Sequence, residues 1–215
     1  MVIQKKITPY NYSAGKGRQI KYIVIHYVGA VSTAKSNANY YASKKLQASA
    51  HYFVDENEIW QSVEDTNVAW HCGTKYTYKH SECRNNNSIG IEMCVKKDSK
   101  GQWYFETKTV ENTIELVKSL MKKYNISVDR VIRHYDVTGK TCPAPYVNNT
   151  AEWNKFKKSL IEPVELTTPN DIVWELGHRG FVLDTKGMLE EMNNNPNGRL
   201  YWLARKMLHY IRCKE

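Results

Sequence analysis

One short segment of the sequence places three chemically capable side chains within nine residues of each other. VIRHYDVTGKTCPAP, residues 131–145, contains His134, Lys140 and Cys142. The aspartate, glycine and prolines of this segment explain why the chain turns here, but not why these three side chains are grouped. The segment therefore raises the question of which residues elsewhere in the chain they meet.

A second histidine completes a set that could bind a catalytic zinc ion. His26 lies near the C-terminal end of a predicted strand, KYIVIHYVG. Either histidine taken alone is more often a structural residue than a ligand. Together His26, His134 and Cys142 would supply three zinc ligands and leave the fourth tetrahedral position open to water. Glu92, on a neighbouring predicted strand, could take a proton from that water, and Lys140 lies two residues before the ligand cysteine.

The elements that would position these side chains alternate along the chain. Apolar runs and period-2 patterns predict strands at 21–29, 49–63 (two strands with a turn at Asp55–Asn57), 87–95 and 129–135. Helical spacing predicts helices at about 33–46 and 109–124. Strands interleaved with helices predict the α/β fold class, with a mixed central β-sheet flanked by helices in a domain at 1–160.

The remainder of the chain differs in composition. Two prolines mark 161–170 as a linker, and residues 171–215 have apolar residues at helical spacing, which predicts a small all-helical domain of three short helices. The N-terminal lysines are not followed by an apolar segment, so we expect no signal peptide and synthesis in the cytoplasm. The longest apolar runs are also too short for a membrane span.

Charge is unevenly distributed. The formal net charge is +9, and residues 163–215 carry seven basic and seven acidic residues, so the whole excess lies before residue 163. This excess of positive charge before residue 163 favours a polyanionic partner such as nucleic acid or an anionic wall polymer. Nucleic-acid binding has only this charge in its favour, because no matching motif is present.

Cysteine usage argues against a disulfide framework. The chain has five cysteines at irregular spacing. An odd number and the expected absence of a secretion signal predict free thiols at Cys72, Cys83, Cys94 and Cys213. Two histidines and two cysteines in HCGTKYTYKHSEC, residues 71–83, could hold a structural zinc, but their spacing matches no common zinc finger.

Four motifs in this order resemble the N-acetylmuramoyl-L-alanine amidase family of phage endolysins, autolysins and peptidoglycan recognition proteins. They are VIHYVGA, SAHYFVD, NNNSIGIEM and RHYDVTGKTCPAP, and the resemblance spans about residues 20–160. It implies that zinc is bound by His26, His134 and Cys142. It also implies that Glu92 and Lys140 are catalytic.

The resemblance also has a departure and two further candidates. One branch of the family has a tyrosine directly before the His-aromatic pair of the second motif, where this chain has Ala50. Because that tyrosine is absent, the resemblance implies that Glu92 is the catalytic residue in its place. His51, in the same motif, and His71, in AWHCG, are candidate substrate-binding residues, with an exposed loop histidine as the alternative for His71.

The function implied is hydrolysis of the bond between N-acetylmuramic acid and L-alanine in peptidoglycan. The enzyme would act on the cell wall after release through a holin or by lysis. The alternative is a catalytically silent peptidoglycan-binding protein of the same fold, although such proteins typically lose the ligand cysteine. The helical domain at 171–215 would bind the wall or pair two chains as a homodimer.

Overall fold

The computed structural model describes residues 2–74, 77–161, 185–195 and 200–204, together with the single residues 169, 173, 176, 198 and 207. The chain divides into two compact units, Met1–Ile161 and Glu162–Glu215. The predicted linker at 161–170 lies almost wholly outside the described residues. None of the helices in the described ranges is long and apolar enough to cross a membrane.

The larger unit is built on a mixed sheet of seven strands. The strands are β1 (Ile3–Lys5), β2 (Tyr22–Val31), β3 (Tyr52–Val54), β4 (Ile59–Gln61), β5 (Ser88–Lys97), β6 (Trp103–Tyr104) and β7 (Val131–Arg133). Their order is β1-β4-β3-β5-β2-β7, with β6 pairing antiparallel to β5. Pairs β3–β5, β5–β2 and β2–β7 are parallel, and the β3–β4 hairpin is antiparallel. The predicted α/β class with a mixed central sheet is confirmed.

Helices cover the sheet. They are α1 (Ala34–Ser43), α2 (Thr107–Tyr124), α3 (His134–Thr138), α4 (Ala144–Asn148) and α5 (Thr150–Leu160). The main core lies between α2, α5 and the face of β5 that carries Ile89, Ile91 and Met93. Period-2 alternation therefore sends Glu92 and Cys94 to the opposite face, as predicted from the sequence.

Two strand predictions differ from the structure. The strand predicted at 129–135 is only three residues long, and His134 begins helix α3. The backbone N–H of Arg133 donates to Asp136 Oδ2 (2.8 Å), which caps the first turn of that helix and ends the strand. His26 lies in the middle of β2 rather than near its end, because β2 continues to Val31.

The smaller unit has a core of its own. Helix α6 (Thr185–Asn194) contributes Met192, which is buried with Val173, Leu176 and Ala204. Leu200 and Tyr201 pack against this cluster, whereas Leu203 and Met207 are exposed. Cys213, one of the predicted free thiols, lies outside the described residues.

A buried carboxylate ties helix α2 to the β3–β4 hairpin. Asp65 accepts hydrogen bonds from the hydroxyls of Tyr52 and Tyr124, both at 2.6 Å. Lys123 Nζ lies 2.8 Å from its second oxygen, and Gln61 Nε2 donates at 3.2 Å. Burial opposes ionisation, but these donors outweigh it and lower the pKa of Asp65, so the carboxylate is charged at neutral pH.

Replacing this carboxylate is expected to destabilise the larger unit. Asp65→Ala leaves two hydroxyls and an ammonium without their acceptor, so the free energy of unfolding at pH 7 is expected to fall by about 2–4 kcal/mol. The control is Glu64→Ala, which removes an exposed pair with Lys5 and is expected to cost below about 0.5 kcal/mol. Denaturant unfolding of both variants measures the difference, and equal losses would contradict the role given to Asp65.

Candidate active site

Parallel pairing brings the first histidine beside the glutamate. His26 on β2 is in register with Glu92 on β5, and Ile25 is in register with Arg133, the last residue of β7. The next residue after β7 is His134. The sheet therefore places the three residues on adjacent strands or at their ends.

The two histidines and the cysteine converge as the sequence predicted. The ring centroids of His26 and His134 are 4.6 Å apart, and His26 Nδ1 lies 3.7 Å from Cys142 Sγ. One potential ligand atom from each of the three residues lies within 4.8 Å of the other two. All three residues are buried.

The loop that carries Cys142 is held by its own backbone. The N–H of Cys142 donates to Lys140 O (2.7 Å), and its carbonyl accepts from the N–H of Tyr135 (2.8 Å). The sulfur accepts a hydrogen bond from the backbone N–H of Tyr27, the residue after His26. Helix α3 ends at Thr138 and is capped by Gly139, whose φ of +82° is a left-handed conformation that favours glycine.

The donor set fits a zinc ion. Two imidazoles and a thiolate are typical zinc ligands, and tetrahedral bonds of about 2.1 and 2.3 Å would separate an imidazole nitrogen from the sulfur by roughly 3.5 Å. The distance between His26 Nδ1 and Cys142 Sγ is close to that value. Both ring nitrogens of His134 are buried, and neither has a hydrogen-bond partner within the described ranges. A buried imidazole in this state is expected to gain a bond to an ion.

Burial also sets the protonation of the ligands. Desolvation, and secondarily the positive charge of Lys140, lowers the pKa of His134 to about 4. The pKa of His26 is lowered for the same first reason, so both imidazoles are neutral and can offer a lone pair at pH 7. Desolvation raises the pKa of the Cys142 thiol to about 12, so the thiol is protonated until an ion displaces the proton.

Glu92 has the properties of a proton carrier. Its Oε2 is buried and has no hydrogen-bond partner among the residues that the structure describes. Burial raises the pKa of this carboxyl to about 8, with Lys140 opposing the shift. A carboxyl whose pKa lies near neutrality can both accept and return a proton.

Lys140 is exposed at the rim of the site. Its positive charge acts on three groups of the site. It adds to the lowering of the His134 pKa, and it opposes the rise that burial causes in the pKa values of Glu92 and Cys142. It is therefore close enough to stabilise negative charge that develops beside them.

His51 and His71 are buried, and neither lies on an exposed substrate surface. His51 Nδ1 accepts from the backbone N–H of Gly90 (3.0 Å), and its Nε2 lies 3.2 Å from Asn67 O. Both of its nitrogens are thus used within the fold, which does not suit the predicted substrate contact. His71 Nδ1 lies 3.0 Å from His26 Nε2, behind the site.

The HCGTKYTYKHSEC segment does not form the four-ligand zinc site considered from the sequence. His80 Nδ1 accepts the backbone N–H groups of Glu82 and Cys83, at 3.1 and 3.0 Å. Cys72 and Cys83 are buried free thiols, as is Cys94, which confirms the prediction for these three within the described chain.

Sequence reasoning missed two sets of supporting residues. Arg133 donates through Nη2 to Asp136 Oδ1 (2.8 Å) and through Nη1 to Tyr146 O (3.1 Å), which fixes the start of α3 and with it His134. Ser88 lies 3.2 Å from His71 Nε2. An Arg-x-x-Asp spacing at a strand end could have indicated the first set, whereas the second depends on contacts between distant segments.

The sequence matches the family model described as N-acetylmuramoyl-L-alanine amidase over residues 16–145. It is 35% identical over 164 residues to the N-acetylmuramoyl-L-alanine amidase CwlL of Bacillus licheniformis, covering 72% of this chain and 44% of that protein. It is 32% identical over 167 residues to the N-acetylmuramoyl-L-alanine amidase BlyA of Bacillus subtilis, covering 72% of this chain and 44% of that protein. The chain thus spans less than half the length of these curated relatives.

The fold matches a solved catalytic domain more completely. The catalytic domain of XlyA superimposes with a TM-score of 0.61 and 28% identity, covering 74% of this chain and 99% of that one. The superposition therefore includes nearly the whole of that solved domain.

The buried Glu92 is expected to make the metal-free protein less stable as pH rises. Its folded pKa of about 8 exceeds its usual value of 4.5, so the folded state holds the extra proton between these limits. Stability therefore falls from about pH 4.5 to about pH 8 by up to about 1.4 kcal/mol per pH unit, and then levels off. Glu92→Gln removes this loss, so in chelator the variant should melt higher than the parent at pH 8 and similarly near pH 4.5.

The control for this measurement is Glu56→Gln. A hydrogen bond from Lys96 lowers the pKa of Glu56, so the Glu56 carboxylate stabilises the fold above its usual pKa. Glu56→Gln should therefore melt lower than the parent at pH 8, which is the opposite of the change expected for Glu92→Gln. A melting difference between Glu92→Gln and the parent that stays constant from pH 4.5 to 8 would contradict a raised pKa at Glu92.

Proposed function

The chain belongs to the N-acetylmuramoyl-L-alanine amidase family, and on that premise we propose that it hydrolyses the amide bond between N-acetylmuramic acid and the L-alanine of the stem peptide in peptidoglycan. The observation that carries the proposal is the convergence of His26, His134 and Cys142 beside the unpartnered carboxyl of Glu92. A neutral imidazole pair, a thiol and a proton-carrying carboxyl are the groups needed for metal-assisted hydrolysis.

His26, His134 and Cys142 would hold the zinc ion. When bound there, zinc lowers the pKa of water toward about 7 and polarises the amide carbonyl. The side chains keep bulk water away from the ion, since all three are buried. Three protein ligands would leave the fourth tetrahedral position for water or substrate.

Glu92 moves the proton. Its carboxylate takes a proton from the attacking water as the new C–O bond forms, and gives it to the alanine nitrogen as the C–N bond breaks. Such a positioned group contributes about 10²–10⁴-fold in rate. Lys140 supports the same step by stabilising negative charge on the carbonyl oxygen from the rim of the site.

A catalytically silent wall-binding protein is the second candidate function. It shares the fold but needs no proton carrier and no ligand cysteine. The buried, unpartnered Oε2 of Glu92 favours the enzyme, because an uncompensated carboxyl in a buried site destabilises the fold and serves no purpose in a binding surface.

We also propose that the two units contribute to wall binding in different ways. The larger unit, Met1–Ile161, carries a formal net charge of +10 and would be attracted to anionic wall polymers over long range. The smaller unit, Glu162–Glu215, has a formal net charge of −1 and would instead bind the wall through local contacts, for which the exposed Trp202 is a candidate, or would pair two chains. The protein would act on the wall after release from the cell that makes it.

Removing a ligand and removing the proton carrier are expected to give different losses. His134→Ala should lose both zinc and the release of L-alanine-ended peptides from purified walls. Glu92→Gln should keep about one zinc per chain and lose at least about 100-fold in rate. Metal analysis beside mass spectrometry of the released end groups measures both.

Two results would contradict this assignment. Full activity of the parent in a rigorously chelated sample would exclude the zinc mechanism. Loss of zinc from Glu92→Gln would make Glu92 a ligand instead of a base.

The two units are expected to respond differently to salt. The truncated chain 1–165 should cleave soluble muramyl peptides at a near-normal rate, because its site is complete. It should bind whole walls more weakly than the full chain and lose binding steeply as salt rises, because its attraction is electrostatic. Wall pull-down at several salt concentrations measures this, and a full chain that is released at the same salt as 1–165 would argue against wall binding by the smaller unit.

A further inference from the structure

A third histidine, which is not one of the proposed ligands, lies against the far side of His26. His71 Nδ1 is 3.0 Å from His26 Nε2, and the two rings are nearly perpendicular, with centroids 5.1 Å apart. One of the two nitrogens must donate and the other must accept. Which one donates decides whether His26 can offer Nδ1 to a metal, because a neutral imidazole carries only one proton.

The hydrogen bonds of Ser88 determine which of these two nitrogens donates. Its hydroxyl lies 2.6 Å from the carbonyl of Arg84, which can only accept, so the hydroxyl proton points there. The same oxygen is 3.2 Å from His71 Nε2 and therefore accepts a proton from it. His71 is then protonated on Nε2, and its Nδ1 presents a lone pair to His26.

The consequence for His26 follows directly. Its Nε2 must carry the proton that it donates to His71 Nδ1, so the lone pair of His26 is on Nδ1. That atom is the one that faces Cys142 Sγ, at 3.7 Å. The hydrogen bonds behind the site thus fix both the tautomer and the ring orientation that a metal ligand needs.

One other donor approaches the same nitrogen. Cys72 Sγ lies 3.1 Å from His71 Nδ1. A thiol is a weak donor, and the Cys72 thiol also hydrogen-bonds to the buried thiol of Cys83. The imidazole N–H of His26 is the stronger partner for the single lone pair.

The His71 ring occupies space beside Gly90. A side chain on Gly90 would bring its Cβ to 2.5 Å from His71 Cγ, so only glycine leaves room for this ring. His51 lies on the other side, with ring centroids 5.6 Å apart, and it is itself tied to Gly90 by its Nδ1. The SAHYF and NSIGIEM segments therefore both contribute to the placement of His71.

We propose that Ser88 and His71 form a positioning relay that holds His26 protonated on Nε2 and aims its Nδ1 at the metal. His71 is then a positioning residue rather than the substrate contact expected from the sequence. The metal part of this inference rests on the proposed function, whereas the hydrogen-bond part concerns only residues of the chain.

The same atoms allow one competing arrangement. His26 Nε2, His71 Nδ1 and Cys72 Sγ also lie within reach of a single ion, with potential ligand atoms within 4.8 Å of one another. A second ion at that position would require His26 Nε2 to lose its proton. The relay and a second metal site therefore exclude each other, and the stoichiometry of bound zinc separates them.

The direct test is nuclear magnetic resonance of the full chain with ¹⁵N-labelled histidine, first in chelator. The relay predicts that His26 and His71 both carry their proton on Nε2, with a nitrogen–nitrogen coupling across the bond between them. A proton on His71 Nδ1 would overturn the proposal. This measurement needs no metal and no activity.

The second test compares zinc affinity in matched variants. His71→Phe keeps a ring but removes the acceptor, and is expected to weaken zinc binding by about 10–100-fold. His71→Asn keeps an acceptor near the position of Nδ1 and should recover part of that loss, and Ser88→Ala should fall between the parent and His71→Phe. His80→Asn, which changes a histidine of the same loop outside the relay, should bind zinc like the parent.

Three outcomes are decisive. Zinc affinity in His71→Phe equal to that of the parent would overturn the relay, even if the variant melts lower, since a merely structural role changes stability alone. Two zinc ions per parent chain, falling to one in Cys72→Ser, would also overturn it in favour of a second site. A parent that binds no zinc would instead refute the proposed function, and the resonance measurement would still test the hydrogen bonds.

Discussion

The parallel pairing of β2 with β5 and β7 is the constraint on which the candidate site depends. It sets His26 opposite Glu92 and carries the chain from Arg133 directly into His134. A shift of β2 by one residue would turn His26 to the other face of the sheet, because side chains alternate along a strand. The apolar residues Ile23, Ile25, Ile89 and Ile91 on the core face oppose that shift.

Burial then gives each group its chemical state. The same desolvation that keeps His26 and His134 neutral also favours the protonated forms of Glu92 and Cys142. The cluster therefore has little internal charge before an ion binds. Binding of a metal ion there would therefore be coupled to loss of the Cys142 proton, and Lys140 at the rim favours the thiolate form.

The sequence predicted the convergent residues better than their supports. The motifs around His26, Glu92 and Cys142, with period-2 alternation in β5, were sufficient to predict the α/β fold and the cluster. The helical start at His134 was missed because a local cap by Asp136 overrides the β-propensity of the preceding residues. The contact of His71 with His26 could not be predicted, because it depends on the conformation of a loop and on the space that Gly90 leaves. The direction of the hydrogen bond between them depends in addition on the Ser88 hydroxyl proton.

The central position of His26 in β2 has a consequence for how the site responds to its ion. His26 is paired with Glu92 on β5, and the residues just before it are paired with β7, so the conformational entropy of this backbone is lost during folding and not when an ion binds. The larger unit also has an apolar core of its own, independent of the cluster. Removal of the proposed zinc should therefore leave a folded protein that can bind the ion again, in contrast to small zinc domains whose chain unfolds when the metal leaves.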